Sequence, residues 1–294
     1  MVVVLLYALI CVIWGSTWLA IKIGLAGVPP FLAAGLRFLL SAAMVGLILV
    51  ARRSRIALTR DDRICVVSLG VLVFWLNYAA VYWAELHISS GLTAVLFSTL
   101  PLTTALLSTF WMRSEQLTVP KVAGIMVGIG GTALLFWPQG RLGTMQVFGM
   151  LSTLVGSLCA AINLVVMKKH GQHSDPFVLN FLGMTVGAAC LLIMSAALEP
   201  WTTAVWTRSN VVAILYLAVF GSVTAFSAYY YLIKHLDATI VSLSALVIPI
   251  VALALGGAFL GETVAPTAVL GIATILAGVG IAMLPWPLVP ARAS

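Results

Sequence analysis

The chain has 294 residues, of which 62% are hydrophobic and only 8% are charged, and its formal net charge is +7. An average soluble domain has about 25% charged residues, so a soluble fold around one apolar core is excluded. The basic residues lie in short loops between apolar runs rather than on one face. This distribution argues against nucleic acid as a partner and indicates a lipid bilayer as the surroundings of the chain.

Long apolar segments account for most of the sequence. A helix needs about 20 apolar residues to cross the hydrocarbon core of a bilayer. We expect the first segment to be a retained helix, because it lacks the basic leader and the small-residue cleavage site of a signal peptide. The sequence predicts an all-α membrane protein with ten transmembrane helices, at 3–23, 31–50, 64–86, 90–112, 119–137, 146–168, 177–197, 211–233, 238–260 and 266–286.

Two halves of the chain, 1–145 and 146–294, carry the same order of landmarks. The matched pairs are Lys22 and Lys168, Tyr82 and Tyr230, Pro101 and Pro249, and Glu115 and Glu262. An odd number of spans in each half places the second copy upside down in the membrane. We therefore predict two inverted five-helix repeats around a central cavity, which is an architecture of secondary transporters.

Arginine and lysine residues set the expected orientation. Positively charged residues stay on the cytoplasmic side of a membrane, so both termini are predicted to be cytoplasmic. The richest loop follows the second segment and contains Arg52, Arg53, Arg55, Arg60 and Arg63.

Aromatic and neutral polar residues mark the candidate substrate site. Trp75, Tyr78 and Tyr82 follow one another at i, i+3 and i+7, which places them on one face of the third helix. Aromatic walls with a few polar groups suit an amphipathic small molecule, or an ammonium group over a ring. The alternative is that the rings face lipid and the polar groups join helices. The other candidate substrate-binding residues are Trp14, Ser16, Thr17, Asn77, Asn163, Ser227 and Tyr230.

Pro101 and Pro249 stand near the middle of the fourth and ninth segments. A proline inside a helix removes one backbone hydrogen bond and kinks the helix. We expect these two residues to act as hinges between the repeats, the alternative being that they only shape packing. Gly124, Gly128 and Gly278 in the fifth and tenth segments predict close approach of those two helices.

Arg37 and Glu85 are predicted to line an outer vestibule. Arg37 lies about two turns into the second helix, at roughly 10 Å depth by helix rise, where a charge faces a partner or a water-filled cavity. Glu85, near the outer end of the third helix, is its expected partner, and snorkelling to the interface is the alternative. Because no carboxylate lies near the middle of any span, we predict facilitated diffusion, or coupling weaker than that of a carrier with a buried acidic relay. Glu85 is the only plausible outer candidate for proton linkage.

Several chemistries lack their signature motifs. The sequence has no Gly-Lys-Ser/Thr phosphate loop and no His/Asp/Glu cluster with catalytic or metal-ligand spacing. We therefore expect no enzymatic activity, no cofactor and no metal site. The expected partners are a small-molecule substrate and the lipid bilayer, and we expect the protein to act as a monomer.

Several short motifs in chain order resemble the drug/metabolite transporter superfamily, specifically its EamA-type ten-helix exporters. They are Trp14-Gly15-Ser16-Thr17, Pro29-Pro30-Phe31, Leu36-Arg37-Phe38, Ser90-Gly91-Leu92-Thr93-Ala94, Leu100-Pro101-Leu102, Val247-Ile248-Pro249 and Leu260-Gly261-Glu262. The family's Leu-Gly-Glu after the fourth helix is displaced here and reads Arg113-Ser114-Glu115. The resemblance implies a basket of ten helices and export of amino acids or related metabolites across the bacterial cytoplasmic (inner) membrane. Efflux of aromatic or cationic drugs, and a passive channel, remain the alternatives.

Overall fold

The computed structural model describes residues 1–54, 56–88, 90–112, 118–135, 143–260 and 266–282. These residues form helices joined by short turns, with no β-strand among them. A single 3₁₀ turn, Trp201–Thr203, precedes the ninth helix. The helices are α1 (Val2–Gly24), α2 (Pro30–Ala51), α3 (Arg60–His87), α4 (Ser90–Phe97), α5 (Leu100–Met112), α6 (Val119–Leu135), α7 (Thr144–His170), α8 (Pro176–Leu198), α9 (Arg208–His235), α10 (Ala238–Ser242), α11 (Ser244–Leu260) and α12 (Pro266–Ala282).

Six helices of the described chain are long and apolar enough to cross a membrane, namely α1, α2, α3, α7, α8 and α9. The prediction of an all-α membrane protein is therefore confirmed. The remaining predicted segments coincide with the shorter helices α6 and α12 and with the consecutive pairs α4–α5 and α10–α11. The inverted arrangement of ten spans stays a prediction. Glu115 and Glu262 lie outside the described residues.

Polar side chains begin the helices at matching places in the two halves. Thr59 and Asp62 form a reciprocal capping box at the start of α3, and Thr207 and Asn210 form the same box at the start of α9. Each box satisfies backbone N–H groups that have no partner inside the helix. Glu199 starts no helix of its own but accepts hydrogen bonds from the first N–H groups of α2, so it ties the two halves together.

The long helices α3 and α9 each contain a π-helical stretch, Ser68–Asn77 and Leu217–Thr224. The wider π-helical turn is rare and is found mostly at functional sites. The two stretches occupy the same place in each half of the chain. Apolar periodicity does not distinguish a π-helical from an α-helical turn, so this feature was not predicted.

The two proline-containing segments are interrupted near their prolines. A break separates α4 from α5 just before Pro101, and Leu243 separates α10 from α11, which contains Pro249. Pro249 has no N–H, so the carbonyl of Ala245 one turn earlier loses its helical partner. The hydroxyl of Ser98 lies 3.2 Å from that carbonyl and 2.9 Å from the carbonyl of Ala94, so its one proton is shared between the two acceptors. The two interrupted segments are thus joined where the proline frees a backbone oxygen.

Glycines bring α6 and α12 into backbone contact, as the sequence predicts. A Cβ atom added to Gly278 would lie 2.5 Å from both the carbonyl oxygen of Gly124 and the nitrogen of Gly128. Any side chain at this position therefore collides with backbone, which has no room to move. Small residues at such contacts let membrane helices gain van der Waals attraction in surroundings where lipid tails offer no hydrophobic driving force.

The glycine contact predicts the effect of a single methyl group. Gly278→Ala should destabilise the protein by about 1–3 kcal/mol, because an overpacked interface forces the helices apart. The matched control is Gly280→Ala, two residues away on α12, where an added Cβ meets no atom within 4 Å. Thermal melting of the detergent-solubilised variants measures the difference. Equal melting temperatures for the two variants would contradict this packing.

Candidate functional site

A buried cavity of about 100 Å³ lies between the two halves of the chain. Helices from both halves contribute to its wall, and none of the described residues that line it is charged. Pockets for drug-sized ligands measure about 300–1,000 Å³, so this conformation leaves room for a small molecule only. Its aromatic lining residues are Trp14, Trp18, Tyr78, Phe97, Phe226 and Tyr229.

Ring-to-ring contacts hold the aromatic wall in place. The ring of Trp14 on α1 meets Phe226 and Tyr229 on α9 edge to face, with centroids 5.5 and 5.0 Å apart. Trp18, one turn further along α1, meets Phe97 on α4 in the same manner at 6.0 Å. Such geometry is the favourable one for aromatic pairs and fixes the positions of the rings. The wall is therefore a preformed apolar surface.

The polar groups in the wall differ in whether they have hydrogen-bond partners within the protein. The Thr17 hydroxyl donates to the Trp14 carbonyl at 2.7 Å, and Asn163 accepts a hydrogen bond from Ser68 at 3.1 Å. In contrast, the Asn77 amide oxygen and the Trp18 indole N–H have no hydrogen-bond partner among the described residues. Both atoms are buried, and the Asn77 oxygen faces Gly156 on α7, so this conformation leaves two polar groups beside the cavity uncompensated, which is costly.

Arg37 lies directly behind the cavity wall and is only 1% exposed. Its guanidinium stands 4.8 Å from the centre of the Tyr78 ring, and the Tyr78 side chain lines the cavity. The guanidinium donates to the Tyr82 hydroxyl at 3.3 Å and to the Ser222 hydroxyl at 2.9 Å. It also donates to the Gly221 carbonyl in the π-helical stretch of α9 at 3.2 Å.

Neutral acceptors thus hold Arg37, whereas the sequence predicted pairing with Glu85. No ion pair joins these two residues; the ion pairs of the described chain are those of Lys121 with Asp237 and His170 with Asp61. A guanidinium without a carboxylate keeps its positive charge uncompensated next to the cavity. The structure also buries Glu85 completely, instead of exposing it in an outer vestibule.

Five of the predicted substrate-binding residues line the cavity together, namely Trp14, Thr17, Asn77, Tyr78 and Asn163. The structure brings them from α1, α3 and α7 to one place. Both predicted asparagines are among them.

The other five lie elsewhere. Tyr82 stands behind the wall with Arg37, and Tyr230 is buried against the rings of Phe226 and Tyr229. The remaining three make contacts away from the cavity: Ser16 with the Tyr216 hydroxyl, Trp75 with the Met194 sulfur, and Ser227 with the Val223 carbonyl.

Trp18, Phe226 and Tyr229 belong to the aromatic residues of α1 and α9 that the sequence indicates, but the ten predicted substrate-binding residues include neither them nor Phe97. Trp18 follows Trp14 by four positions, and Tyr229 follows Phe226 by three, so helical spacing places each pair on one face. Phe226 is also the repeat counterpart of Tyr78. Applying the aromatic pattern of α3 to α9 at the repeat shift finds Phe226, whereas nothing local distinguishes Phe97.

Lysines make the same kind of contact in both halves. The Lys22 ammonium on α1 donates to the Glu85 carbonyl near the C-terminus of α3 at 2.6 Å. The Lys168 ammonium on α7 donates to the carbonyls of Ile233 and Leu236 at the C-terminus of α9, at 2.9 and 2.7 Å. A cation at a helix C-terminus satisfies free carbonyls and complements the helix dipole.

The sequence profile of the EamA-like transporter family matches this chain twice, over residues 1–137 and 147–284. The chain belongs to the EamA-like transporter family. Its membership identifies it as a transporter, and the six long apolar helices make it a multi-pass membrane protein.

Similar proteins agree with the family assignment. The EamA-like chain is 30% identical over 283 residues to the uncharacterized inner membrane transporter YedA of Escherichia coli, with 96% of this chain and 90% of the relative covered. It is 28% identical to the uncharacterized transporter YoaV of Bacillus subtilis, with 92% of each covered. A solved crystal structure with 20% identity superimposes with a TM-score of 0.81 over 96% of this chain and 97% of its own, which shows a shared fold.

The cavity predicts a difference between two positions of α7 in a variant without native cysteines. Ala160 lines the cavity, whereas Leu158 is on the exposed, lipid-facing surface. Ala160→Cys should react with a small water-soluble thiol reagent, because water in the cavity solvates the reactive thiolate and admits the reagent. Leu158→Cys should stay unreactive, because a thiol in hydrocarbon does not ionise. The reverse pattern, with Ala160→Cys unreactive and Leu158→Cys reactive, would mean that the cavity is not the aqueous path.

Proposed function

We propose that this protein is a secondary transporter that exports amino acids or related small metabolites by alternating access. The observation that carries the proposal is the buried cavity between the two halves, with an aromatic wall and unpaired polar groups. An amino acid matches this lining, because its apolar side chain packs against rings while its polar end forms hydrogen bonds.

The charge behind the wall favours a substrate that carries a carboxylate. Arg37 has no carboxylate partner among the described residues, and its guanidinium lies 4.8 Å from the centre of the Tyr78 ring, which lines the cavity. An uncompensated positive charge in surroundings of low dielectric attracts an anionic group and repels a cation. This electrostatic difference supports amino acids over the alternative of cationic drugs.

Matching features in the two halves support an inverted repeat of five helices each, with the cavity at its centre. Each half has one match to the family profile, one π-helical stretch and one lysine that caps a helix C-terminus. In the orientation expected from the basic loops, Lys22 lies at the outer face and Lys168 at the cytoplasmic face. Breaking one contact at a time would open the cavity to one side at a time, as alternating access requires.

Pro101 and Pro249 are the proposed hinges. Pro101 lies at the start of α5, directly after one interruption, and Pro249 lies within α11, after the other; the two segments meet where the Ser98 hydroxyl contacts the Ala245 carbonyl. A freed carbonyl held by a single side-chain hydroxyl exchanges partners more readily than a continuous helical ladder. The residues around it, Phe97 and Ala245, both line the cavity, so movement at this point changes the shape of the site.

The proposal also includes the membrane location of the protein and its oligomeric state. The transporter is placed in the bacterial cytoplasmic membrane with both termini in the cytoplasm, on the basis of the arginine-rich loop after α2. It acts as a monomer, since the cavity is formed within one chain.

Counterflow in proteoliposomes tests the function. Vesicles loaded with one unlabelled amino acid at a time should take up the same radiolabelled amino acid transiently and with saturation, because exchange through an alternating site needs no energy. Unsaturable uptake without counterflow would indicate the passive channel. Exchange of an organic cation such as tetraphenylphosphonium, with no amino acid exchanged, would indicate the drug carrier.

Two phenylalanines of α9 then test the site. Phe226→Ala should raise the half-saturating concentration of the exchanged amino acid about 10–100-fold, because losing the apolar contact between the bound substrate and the ring costs roughly 1–3 kcal/mol. Phe220→Ala is the matched control, since Phe220 lies on the same helix but is 47% exposed. The proposal requires that the control keeps the half-saturating concentration of the unsubstituted protein. An equal effect of both substitutions would contradict the site assignment.

A further inference from the structure

Glu85 is a buried carboxyl group that the transport cycle described above does not use. It lies two residues before the end of α3 and is 0% exposed. One carboxyl oxygen, Oε2, accepts a hydrogen bond of 3.3 Å from the Ser90 hydroxyl. The other oxygen, Oε1, is buried without a hydrogen-bond partner among the described residues.

The surrounding helices bring one cation near this group but do not neutralise it. Lys22 from α1 directs its ammonium to the main-chain carbonyl of Glu85 and forms no ion pair with the carboxyl group. Arg37 from α2 reaches Tyr82, one turn away on α3. The ring of His87 packs against Trp83 on the same helix.

Two further helices face the carboxyl group with neutral residues. From α4 the contact is Ser90, which is a hydrogen-bond donor. From α7, Gly149 packs against the carbonyl of Ala84, next to Glu85. An ionised carboxylate that has one long hydrogen bond and no ion pair is strongly disfavoured in surroundings without water, so the neutral acid is the form that fits this site.

We infer that Glu85 is a proton-binding site of this transporter and is protonated in the conformation seen here. It releases its proton when the Lys22 ammonium moves from the main-chain carbonyl of Glu85 to its carboxyl group. The role of the site in coupling substrate movement to a proton gradient, in place of the facilitated diffusion expected from the sequence, rests on the proposed function. The site itself does not, because it is defined by the burial of Glu85 and by an Oε1 atom without a hydrogen-bond partner in the part of the chain that the structure describes.

The exchange is a simple proton transfer. The Ser90 hydroxyl occupies Oε2, so the proton is held on Oε1. When the cavity opens at the Lys22 end, water reaches the carboxyl group, the Oε1–H bond breaks and the proton passes to water. The carboxylate that remains is then stabilised by the Lys22 ammonium as an ion pair. Because Lys22 is itself exposed, its swing provides the route to the aqueous side.

Infrared difference spectroscopy of the purified protein in lipid tests this site without any substrate. At neutral pH the unsubstituted protein should show the carbonyl-stretching band of a protonated carboxylic acid, and Glu85→Gln should lose it. Asp237→Asn is the matched control, because the Asp237 side chain is 55% exposed and paired with Lys121. This control should leave the band unchanged.

A second variant keeps the test decisive if Glu85→Gln does not fold. Ser90→Ala removes the hydrogen bond that Oε2 accepts from the Ser90 hydroxyl and should shift the acid band to higher wavenumber without abolishing it. A spectrum without an acid band at neutral pH would overturn the inference, as would a band that neither Glu85→Gln nor Ser90→Ala changes. Counterflow is measured separately, so loss of the proton site and loss of transport are distinguishable results.

Discussion

The guanidinium of Arg37 joins three helices of this protein at the back of its cavity. It extends from α2, donates to the Tyr82 hydroxyl on α3 and donates to the Gly221 carbonyl and the Ser222 hydroxyl on α9. A charge at this depth in a membrane protein is tolerated only where protein groups replace water around it. Its hydrogen bonds therefore fix α2, α3 and α9 relative to one another, and they cross from the first half of the chain to the second.

The position of the cavity wall follows from this junction. The Gly221 carbonyl that accepts from Arg37 also accepts from the Trp14 indole at 3.3 Å, and the Arg37 guanidinium lies against the Tyr78 ring. Trp14 and Tyr78 both line the cavity. One buried cation thus places two rings of the wall. The positive charge of Arg37 is not offset by Glu85, which is neutral and lies beyond Tyr82. The site is therefore electropositive, as proposed for binding a substrate carboxylate.

Apolar length and residue type were enough to predict the helical membrane fold. Runs of about 20 apolar residues have one physical solution in a bilayer, and glycines without side chains allow the α6–α12 contact. Side-chain partners were harder to predict. Arg37 and Glu85 carry opposite charges and were both expected toward the outer side, yet the π-helical stretch of α9 offers Arg37 a carbonyl and a hydroxyl that no sequence pattern reveals.

The candidate site was likewise predicted only in part, because helical spacing can be read from the sequence and side-chain partners cannot. Trp14, Thr17, Asn77, Tyr78 and Asn163 share the cavity because helical spacing directs them inward. Trp75 was expected there too, but the Met194 sulfur on α8 takes its indole N–H. Helical periodicity assumes α-helical turns, and Trp75 lies inside the π-helical stretch of α3, where each turn is wider. The rotation of a side chain beyond such a stretch depends on tertiary packing.

Inversion of the two halves is the central claim, and two equivalent loops test it most directly. Ser54 lies after α2 and Thr203 lies in the corresponding loop after α8. Ser54→Cys and Thr203→Cys, each made in a variant without native cysteines, are exposed to a membrane-impermeant thiol reagent in intact cells. Inverted halves predict that Thr203→Cys is labelled at once and Ser54→Cys only after the membrane is permeabilised. Labelling of both positions from the same side would show that the halves are not inverted.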